Sequence, residues 1–239
     1  CSMMDQSRTE ILIGADGVEK LRQSTVMIIG LGGVGGYAAE AIVRAGVGKI
    51  IIADYDSVAP SNINRQILSL SSTMNRKKTE VAAERFKEIN PAVEITSFSE
   101  RVTPENIGTI FPESKEHLYA IDAIDEIDAK VALIAELHRR GIPSVSSMGA
   151  GSRLDPSAVK IDDISRTNYC PLARVIRKRL RLTGIEKGVR CIYSTENLNR
   201  FAEPDNEGER RKQGSISFMP GIFGLTAAGV IINDIINII

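Results

Sequence analysis

Short apolar runs alternate with longer segments of helical periodicity through most of the chain. The apolar runs are rich in β-branched residues, which predicts buried strands. The predicted strands are 25–30, 49–54, 93–98, 118–123 and 144–147, and the predicted helices are 34–45, 74–89 and 126–140. Strands that alternate with helices predict an α/β fold, with a doubly wound, Rossmann-like and mainly parallel sheet.

The alternation becomes less regular beyond residue 155. Strands are predicted at 158–163 and 189–193, a basic helix at 171–182, and a polar, mobile loop at about 196–214. We therefore expect a larger N-terminal region, residues 8–155, and a smaller C-terminal portion, residues 156–239, within one domain.

The C-terminal segment 221–239 is strongly apolar, although Asn233, Asp234 and Asn237 interrupt it. Its length barely reaches the thickness of a bilayer, and polar residues are costly within a membrane span. The segment therefore predicts a buried terminal helix or a dimer contact, and no membrane anchor is expected.

Charge and cysteine usage narrow the classes of protein to consider. Lysine and arginine total 30, as do aspartate and glutamate, so RNA or another polyanion must be bound by a local patch. The three cysteines, Cys1, Cys170 and Cys191, form no C-x-x-C pair, which excludes a four-thiolate zinc site. Few cysteines and no N-terminal signal pattern predict a cytoplasmic protein in which Cys170 and Cys191 are ordinary buried residues.

A glycine-rich loop joins the first predicted strand to the first predicted helix. Its glycines are Gly30, Gly32, Gly33 and Gly35. Such a loop lets the backbone approach phosphate oxygens, and the N-terminus of the following helix attracts negative charge. Asp54 follows about 20 residues later, at the end of the second strand, where a carboxylate can accept the ribose hydroxyls. This combination predicts a nucleotide site.

Polar and basic residues beyond Asp54 separate the predicted nucleotide from NAD. They are Asp56, Asn62, Arg65, Gln66 and Lys78. The glycine loop already matches the diphosphate of NAD, so additional Arg and Lys side chains indicate β- and γ-phosphates. Taken singly, Arg65 would be a surface ion pair and Lys78 one of several solvated basic residues. Their place beside one glycine loop favours a triphosphate, and ATP is the expected cofactor.

Asp125 directly follows the strand predicted at 118–123 and precedes a helix. In open α/β sheets, ligands bind in the crevice at the carboxyl ends of the strands. Mg²⁺ commonly binds through one or two carboxylates together with substrate phosphates. The sequence therefore predicts Asp125 as a Mg²⁺ ligand beside the triphosphate.

Basic residues are concentrated in and after the predicted helix 171–182. The candidates for RNA binding are Arg174, Arg177, Lys178 and Arg181, and further basic residues nearby are Arg179, Lys187, Arg190, Arg210, Arg211 and Lys212. Helical spacing places several of them on one face, where they can neutralise phosphates. A solvated charged helix is the alternative interpretation.

The same residues resemble the signature of the ubiquitin-activating-enzyme-like adenylyltransferases over roughly residues 8–150. The family pattern is G-x-G-G-x-G, then D-x-D, N-x-x-R-Q, a Lys and a further Asp. The resemblance implies that Asp54 holds the ribose, that Arg65 and Lys78 hold phosphates, and that Asp125 faces Mg²⁺, the last three being the predicted catalytic residues. It also implies a homodimer in which an N-terminal Arg reaches the partner's ATP, and Arg8 is the best match.

The C-terminal portion is similar to one branch of that family, the tRNA threonylcarbamoyladenosine dehydratases. The similar stretches are 161–173, 188–189, 193–196 and 214–218. The similarity implies that the threonylcarbamoyl carboxylate on a tRNA adenosine next to the anticodon attacks the α-phosphate of ATP. A nucleophile of the same nucleoside then closes a ring with release of AMP, so that water is lost overall. Cys170 departs from the branch, where a polar residue is expected, and an acceptor cysteine near the C-terminus is missing.

Three other functions stay open at this point. An adenylyltransferase for a small sulfur-carrier protein, in molybdopterin or thiazole synthesis, would need a groove for a Gly-Gly tail and an acceptor cysteine. A non-catalytic nucleotide-sensing or scaffold protein is disfavoured by the presence of Arg65, Lys78 and Asp125. An NAD-dependent oxidoreductase is disfavoured by the 62–66 string and by the lack of a Tyr-x-x-x-Lys pair.

Overall fold

One sheet of seven strands carries all the helices of the part of the chain that the computed structural model describes, residues 4–197 and 214–237. The strands are β1 (Thr25–Ile29), β2 (Lys49–Ala53), β3 (Glu94–Phe98), β4 (Leu118–Asp122), β5 (Ser144–Ser147), β6 (Val159–Asp163) and β7 (Arg190–Ser194). The helices are α1 (Ser7–Gln23), α2 (Gly35–Arg44), α3 (Lys78–Ile89), α4 (Ile127–Arg140), α5 (Pro171–Leu182) and α6 (Met219–Ile236).

The strand order confirms the predicted doubly wound sheet. It is β3-β2-β1-β4-β5-β7-β6, and every neighbouring pair is parallel except β6 with β7. The chain places β2 and β3 on one side of β1, and β4 and the later strands on the other side. The carboxyl ends of β1 and β4 therefore form the crevice in which a ligand of such a sheet binds.

Alternate residues of β1 enter two different cores, one on each face of the sheet. Val26 and Ile28 pack with residues of α2 and α6, whereas Met27 and Ile29 pack with residues of α4. A parallel sheet that is covered by helices on both faces must present apolar side chains to both. This is why its strands appear in the sequence as continuous apolar runs.

Helix α6 is a core helix of the described structure. By length and composition it could cross a membrane, but 61% of its residues are buried within the protein. It packs so closely on α2 that a Cβ atom at Gly224 would overlap the Val34 carbonyl. The polar interruption is also explained, because Asp234 accepts a 2.9 Å hydrogen bond from Arg190 at the start of β7.

Two helices differ from the sequence-based prediction. Helix α1 was not predicted, and it bends at Gly14, whose φ is 74°. The helix predicted from residue 74 begins only at Lys78, because Asn75 has a φ of 64° and Ser57 forms a β-bridge with Lys77. The extended segment before α3 brings Lys78 to the end of β2, where its amide donates to the carbonyl of Asp56 at 3.1 Å.

Candidate active site

A cavity of about 660 Å³ follows the carboxyl edge of the sheet from β2 past β1 and β4 to β5. Predicted nucleotide residues that line it are Gly30, Gly32, Gly33, Asp54, Asp56, Asn62, Arg65, Gln66, Lys78 and Asp125. A second set of lining residues comes from the β5 end and from the start of α5, including Met148, Gly149, Gly151, Arg153, Cys170, Pro171 and Leu172. The cavity therefore extends well beyond the residues that the sequence assigns to a nucleotide.

The glycine loop is shaped by close backbone packing. Gly30 has a φ of 93°, and a Cβ atom there would lie 2.6 Å from the Ala123 carbonyl oxygen. A Cβ atom at Gly35 would overlap the carbonyl oxygen of Gly30. Helix α2 begins at Gly35 without a side-chain cap, and the Gly36 amide in its first turn donates to the Gly32 carbonyl at 3.0 Å. Only glycine allows this turn, and the turn presents a helix N-terminus to the cavity.

Asp54 connects the glycine loop to the end of β2. Its carboxylate accepts hydrogen bonds from the amides of Leu31 at 2.7 Å and Asp56 at 2.8 Å. Burial raises the pKa of the Asp54 carboxyl above its usual value of 3.8, and it outweighs the attraction of Lys78 and the two amide donors. The carboxylate is therefore held in place and shielded from water. Its oxygens can still accept further hydrogen bonds on the side of the cavity that a ribose would contact.

Lys78 is a buried cation rather than a solvated one. Its side chain is 4% exposed, and its ammonium nitrogen lies 2.8 Å from an oxygen of Asp56 and 3.8 Å from an oxygen of Asp54. The other two basic residues of the run turn away, because Arg76 pairs with Glu84 and Lys77 donates to the Tyr55 carbonyl. The structure thus singles out Lys78 as the one cation of this run placed in the cavity wall.

Arg65 is half-buried and is oriented by oxygen atoms of its own turn. Its guanidinium donates to the Ser61 carbonyl and to the Asn64 side chain, each at 2.8 Å. No carboxylate pairs with it among residues 4–197 and 214–237, which leaves its charge available to an anionic ligand.

Two amide side chains complete this wall of the cavity. Asn62 uses its side-chain oxygen to accept from the Ala59 amide at 3.1 Å, so the oxygen stabilises the turn that presents Arg65. Gln66 is buried, and its side-chain oxygen has no donor within the described part of the chain. A buried acceptor without a partner in a cavity wall fits a hydrogen-bond donor of a ligand.

Asp125 lies in the turn between β4 and α4 and lines the cavity. Its side chain is exposed, and within the described residues it has no hydrogen bond or ion pair. No cluster of three or more His, Cys, Asp or Glu side chains is found in the described ranges. A metal ion here would therefore have at most two such side chains as ligands, together with ligand phosphates, which is the arrangement Mg²⁺ accepts.

A buried ion pair that the sequence analysis missed supports the Asp125 turn. Asp122, the last residue of β4, lies 2.8 Å from the ammonium of Lys130 on α4, and both side chains are almost fully buried. Ser146 donates to Asp122, and Lys130 also donates to the Ile124 carbonyl at 2.9 Å. Lys130 lies one helical turn into an amphipathic helix, and nothing in the sequence indicates that its side chain points inward.

The predicted RNA-binding residues separate into two groups. Arg174, Lys178 and Arg181 are exposed on one face of α5, opposite the buried Ala173, Ile176 and Leu180. Arg177 instead directs its guanidinium to the carbonyls of Ile164 and Thr167 and to the Thr167 hydroxyl. Arg177 therefore fastens α5 to the preceding loop.

The remaining basic residues and Arg8 lie elsewhere. Arg179 pairs with Asp128, and Arg190 pairs with Asp234. Arg210, Arg211 and Lys212, with most of the predicted mobile loop, lie outside the described residues. Arg8 is exposed on α1 and does not line the cavity.

Both described cysteines are buried, as predicted. Burial raises the pKa of the Cys191 thiol, which lies in β7 and away from the cavity. Cys170 precedes α5 and lines the cavity, so its side chain is part of the wall.

The raised pKa of Asp54 predicts that nucleotide affinity depends on pH. As the pH falls, Asp54 becomes protonated at a higher pH than an ordinary aspartate and loses the charge that strengthens hydrogen bonds from a ribose. ATP affinity should therefore weaken as the pH approaches 3.8 from above. Titration calorimetry of the chain and of Asp54→Asn, from neutral to acid pH, measures this.

Asp54→Asn is the control, because titration of ATP itself affects both proteins equally. The variant should bind ATP about tenfold more weakly at neutral pH, and the difference between the two proteins should shrink in acid. A constant difference over the whole pH range would show that Asp54 does not bind the nucleotide through its charge.

Comparison with known proteins agrees with this geometry. The profile of the ThiF family matches residues 6–238. The tRNA threonylcarbamoyladenosine dehydratase of Bacillus subtilis (strain 168) is 39% identical over 97% of this chain and 94% of its own length. The crystal structure of Escherichia coli tRNA N6-threonylcarbamoyladenosine dehydratase in complex with ATP superposes with a TM-score of 0.87 at 33% identity, covering 99% of this chain and 98% of that one. The sulfur carrier protein ThiS adenylyltransferase of E. coli is 43% identical, but over only 59% of this chain.

Proposed function

Because the chain belongs to the ThiF family, we infer that it uses ATP to dehydrate the threonylcarbamoyl group of a threonylcarbamoyladenosine in tRNA. The relative from B. subtilis with that activity in its name matches nearly the whole chain, including the C-terminal portion with α5. The sulfur-carrier adenylyltransferase matches a smaller part. The cavity adds the observation that carries the inference: a buried Lys78, and an Arg65 that no carboxylate of the described residues pairs with, lie beside a glycine loop and Asp54.

The positions of these residues support the following reaction steps. Asp54 accepts the ribose hydroxyls, and Arg65 and Lys78 bind phosphates, Lys78 exchanging its contact with the half-exposed Asp56 for a phosphate oxygen. An oxygen of the substrate carboxylate attacks the α-phosphate, and pyrophosphate leaves. A nucleophile of the same nucleoside then attacks the acyl carbon, and AMP leaves with the carboxylate oxygen. One water is lost overall, and the chain supplies positioning and charge neutralisation.

Mg²⁺ is the second cofactor that we propose. Asp125 is an exposed carboxylate at the carboxyl end of β4, without a competing cation among the described residues. When bound there, the metal would neutralise phosphate charge as the α-phosphate is attacked. Asp125 would hold the ion, and the Asp122–Lys130 pair would hold the turn that presents Asp125.

A homodimer with Arg8 acting across the subunit interface also belongs to the proposal. Arg8 lies outside the cavity of its own subunit, on a helix that exposes the large apolar side chains of Ile11 and Leu12. Exposed apolar side chains on one helix fit a subunit contact. Light scattering of the purified chain tests this, and a monomer at micromolar concentration would contradict the role of Arg8. The cellular location is a separate part of the proposal. We propose that the protein is cytoplasmic, because tRNA is the proposed substrate and both described cysteines are free.

The decisive assay uses ATP, Mg²⁺ and threonylcarbamoyl-modified tRNA. It should yield AMP and a nucleoside lighter by one water, as measured by mass spectrometry of the digested tRNA. Unmodified tRNA is the control and should yield neither product. Pyrophosphate exchange that requires a small carrier protein with a Gly-Gly tail, and is indifferent to modified tRNA, would establish the alternative function instead.

We expect the exposed basic face of α5 to bind tRNA. Replacing Arg174, Lys178 and Arg181 together by Gln should lower the slope of log affinity against log salt by about one for each cation. ATP affinity should not change, because these side chains do not line the cavity. Filter binding of tRNA at several salt concentrations measures the slope.

Lys115→Gln is the matched control for this prediction. Lys115 is exposed just before β4, at the amino edge of the sheet and therefore away from the cavity. An unchanged slope in the triple variant, or an equal change per cation in Lys115→Gln, would show that tRNA does not bind along α5.

A further inference from the structure

The cavity contains a second buried cation at its end furthest from Asp54. Arg153 follows β5, is 2% exposed and lines the cavity with Cys170 and Leu172. Along the edge of the sheet, β1 and β4 lie between β2, which Asp54 directly follows, and β5, which precedes Arg153 in the chain. A nucleotide held by Asp54 and the glycine loop leaves this end of the cavity for another ligand.

Arg153 forms no ion pair in the part of the chain that the structure describes. Its guanidinium donates to the carbonyl of Tyr169 at 3.0 Å and to the carbonyl of Glu196, while its Nε atom is buried without an acceptor. The nearby Glu196 carboxylate instead accepts from the amides of Leu154 and Asp155, at 2.8 and 2.9 Å. Burial lowers the pKa of the Arg153 guanidinium, but an arginine keeps its charge in proteins.

The N-terminus of α5 points to the same chemistry. The helix starts at Pro171 and has no side-chain cap, since its N-cap residue is Cys170. Pro171 and Leu172 line the cavity next to Arg153. The partial positive charge of a helix N-terminus and a buried guanidinium that has no ion pair among the described residues both favour an anion in this place.

We propose that Arg153, together with the N-terminus of α5, binds the carboxylate of the substrate and so selects nucleosides that carry one. This rests on the proposed function. The position of Arg153 favours the substrate carboxylate over other anions, because that carboxylate must reach the α-phosphate inside the cavity. The backbone phosphates of tRNA can instead bind to the exposed face of α5. When the acyl carbon is attacked during ring closure, the same guanidinium can bind the negative charge that develops on its oxygen.

The test compares two forms of an anticodon stem-loop, one with threonylcarbamoyladenosine and one with its methyl ester. The wild-type chain should bind the carboxylate form about tenfold more tightly, the effect of one charge-assisted hydrogen bond. Arg153→Gln should bind the two forms equally, and Arg153→Lys should retain part of the preference. ATP affinity, measured on the same samples, should be unchanged in both variants, and fluorescence anisotropy gives the stem-loop affinities.

Other outcomes would overturn the proposal. An equal preference for the carboxylate in wild type and Arg153→Gln would show that Arg153 does not bind it. Equal weakening of both stem-loops by the substitution would assign Arg153 to an RNA phosphate. If Arg153→Gln does not fold, Arg153→Lys decides, since an undiminished preference there would exclude bidentate recognition by Arg153.

Failure of the proposed function gives a different result. A wild-type chain that forms no AMP from ATP and modified tRNA removes both the function and this inference. Normal AMP formation, together with an unchanged preference in Arg153→Gln, removes only the inference.

Discussion

Replacing Asp125 by Ala should lower the rate of AMP formation about 100- to 1,000-fold. The carboxylate is the one we expect to hold Mg²⁺ where negative charge moves onto the phosphates. Because Asp125 is exposed and without a side-chain partner in the described ranges, the substitution should change the free energy of unfolding by about 0.5 kcal/mol or less. AMP release under saturating ATP and modified tRNA, with thermal unfolding measured in parallel, checks both expectations.

Glu126 provides the matched control for Asp125. It also lines the cavity, but its carboxylate lies 2.8 Å from the guanidinium of Arg101, so its charge is already neutralised. Glu126→Ala should therefore change AMP formation far less than Asp125→Ala does. Near-normal turnover by Asp125→Ala, or equal losses in the two variants, would contradict a metal-binding role for Asp125.

Replacing Lys130 by Met should destabilise the chain by about 3–5 kcal/mol, the cost of leaving one member of a buried ion pair without its partner. Asp122 would keep the hydrogen bonds from Ser146 and from the Ile124 amide, but it would lose its only cation among the described residues. The Ile124 carbonyl would also lose its 2.9 Å donor, which loosens the turn before Asp125. Denaturant unfolding of the wild type and the variant measures the difference.

The double variant Asp122→Asn with Lys130→Met separates charge burial from lost packing. An asparagine side chain has the shape of the aspartate without its charge, so the double variant should regain most of the stability lost in the single one. If the free energy of unfolding of the single variant lies within about 1 kcal/mol of the wild-type value, the ion pair is not a major source of stability. If the double variant is as unstable as the single one, packing rather than charge explains the loss.

The sequence predicted most of the nucleotide wall because its evidence is local. Strand β1, the glycine loop and Asp54 are encoded by an apolar run, by glycines and by a fixed spacing to the next strand end. The structure confirms the resulting sheet and brings these residues to one cavity. The sequence specified the roles of Asn62 and Gln66 less closely. In the structure Asn62 stabilises a turn, and Gln66 has a buried side-chain oxygen without a donor in the described ranges.

Similar residue types in one segment have different environments in the structure. Among Arg76, Lys77 and Lys78, only Lys78 enters the cavity wall, because an extended segment paired with Ser57 precedes α3. Among the arginines of α5, Arg177 is taken up by the loop at 164–167, while Arg174 and Arg181 remain exposed. Composition and helical spacing do not contain these differences.

The sequence by itself determined the order of strands and helices from β1 onward, the glycine turn and the kinds of charge near the nucleotide, since these depend on local periodicity and short spacing. Tertiary structure alone decided which charges are buried and what they meet. Asp122 is joined to Ser146 on a neighbouring strand, and Arg153 to the Glu196 carbonyl that follows β7. Such partners are distant in the chain and become neighbours only when the sheet assembles, so burial and pairing of charges are properties of the fold.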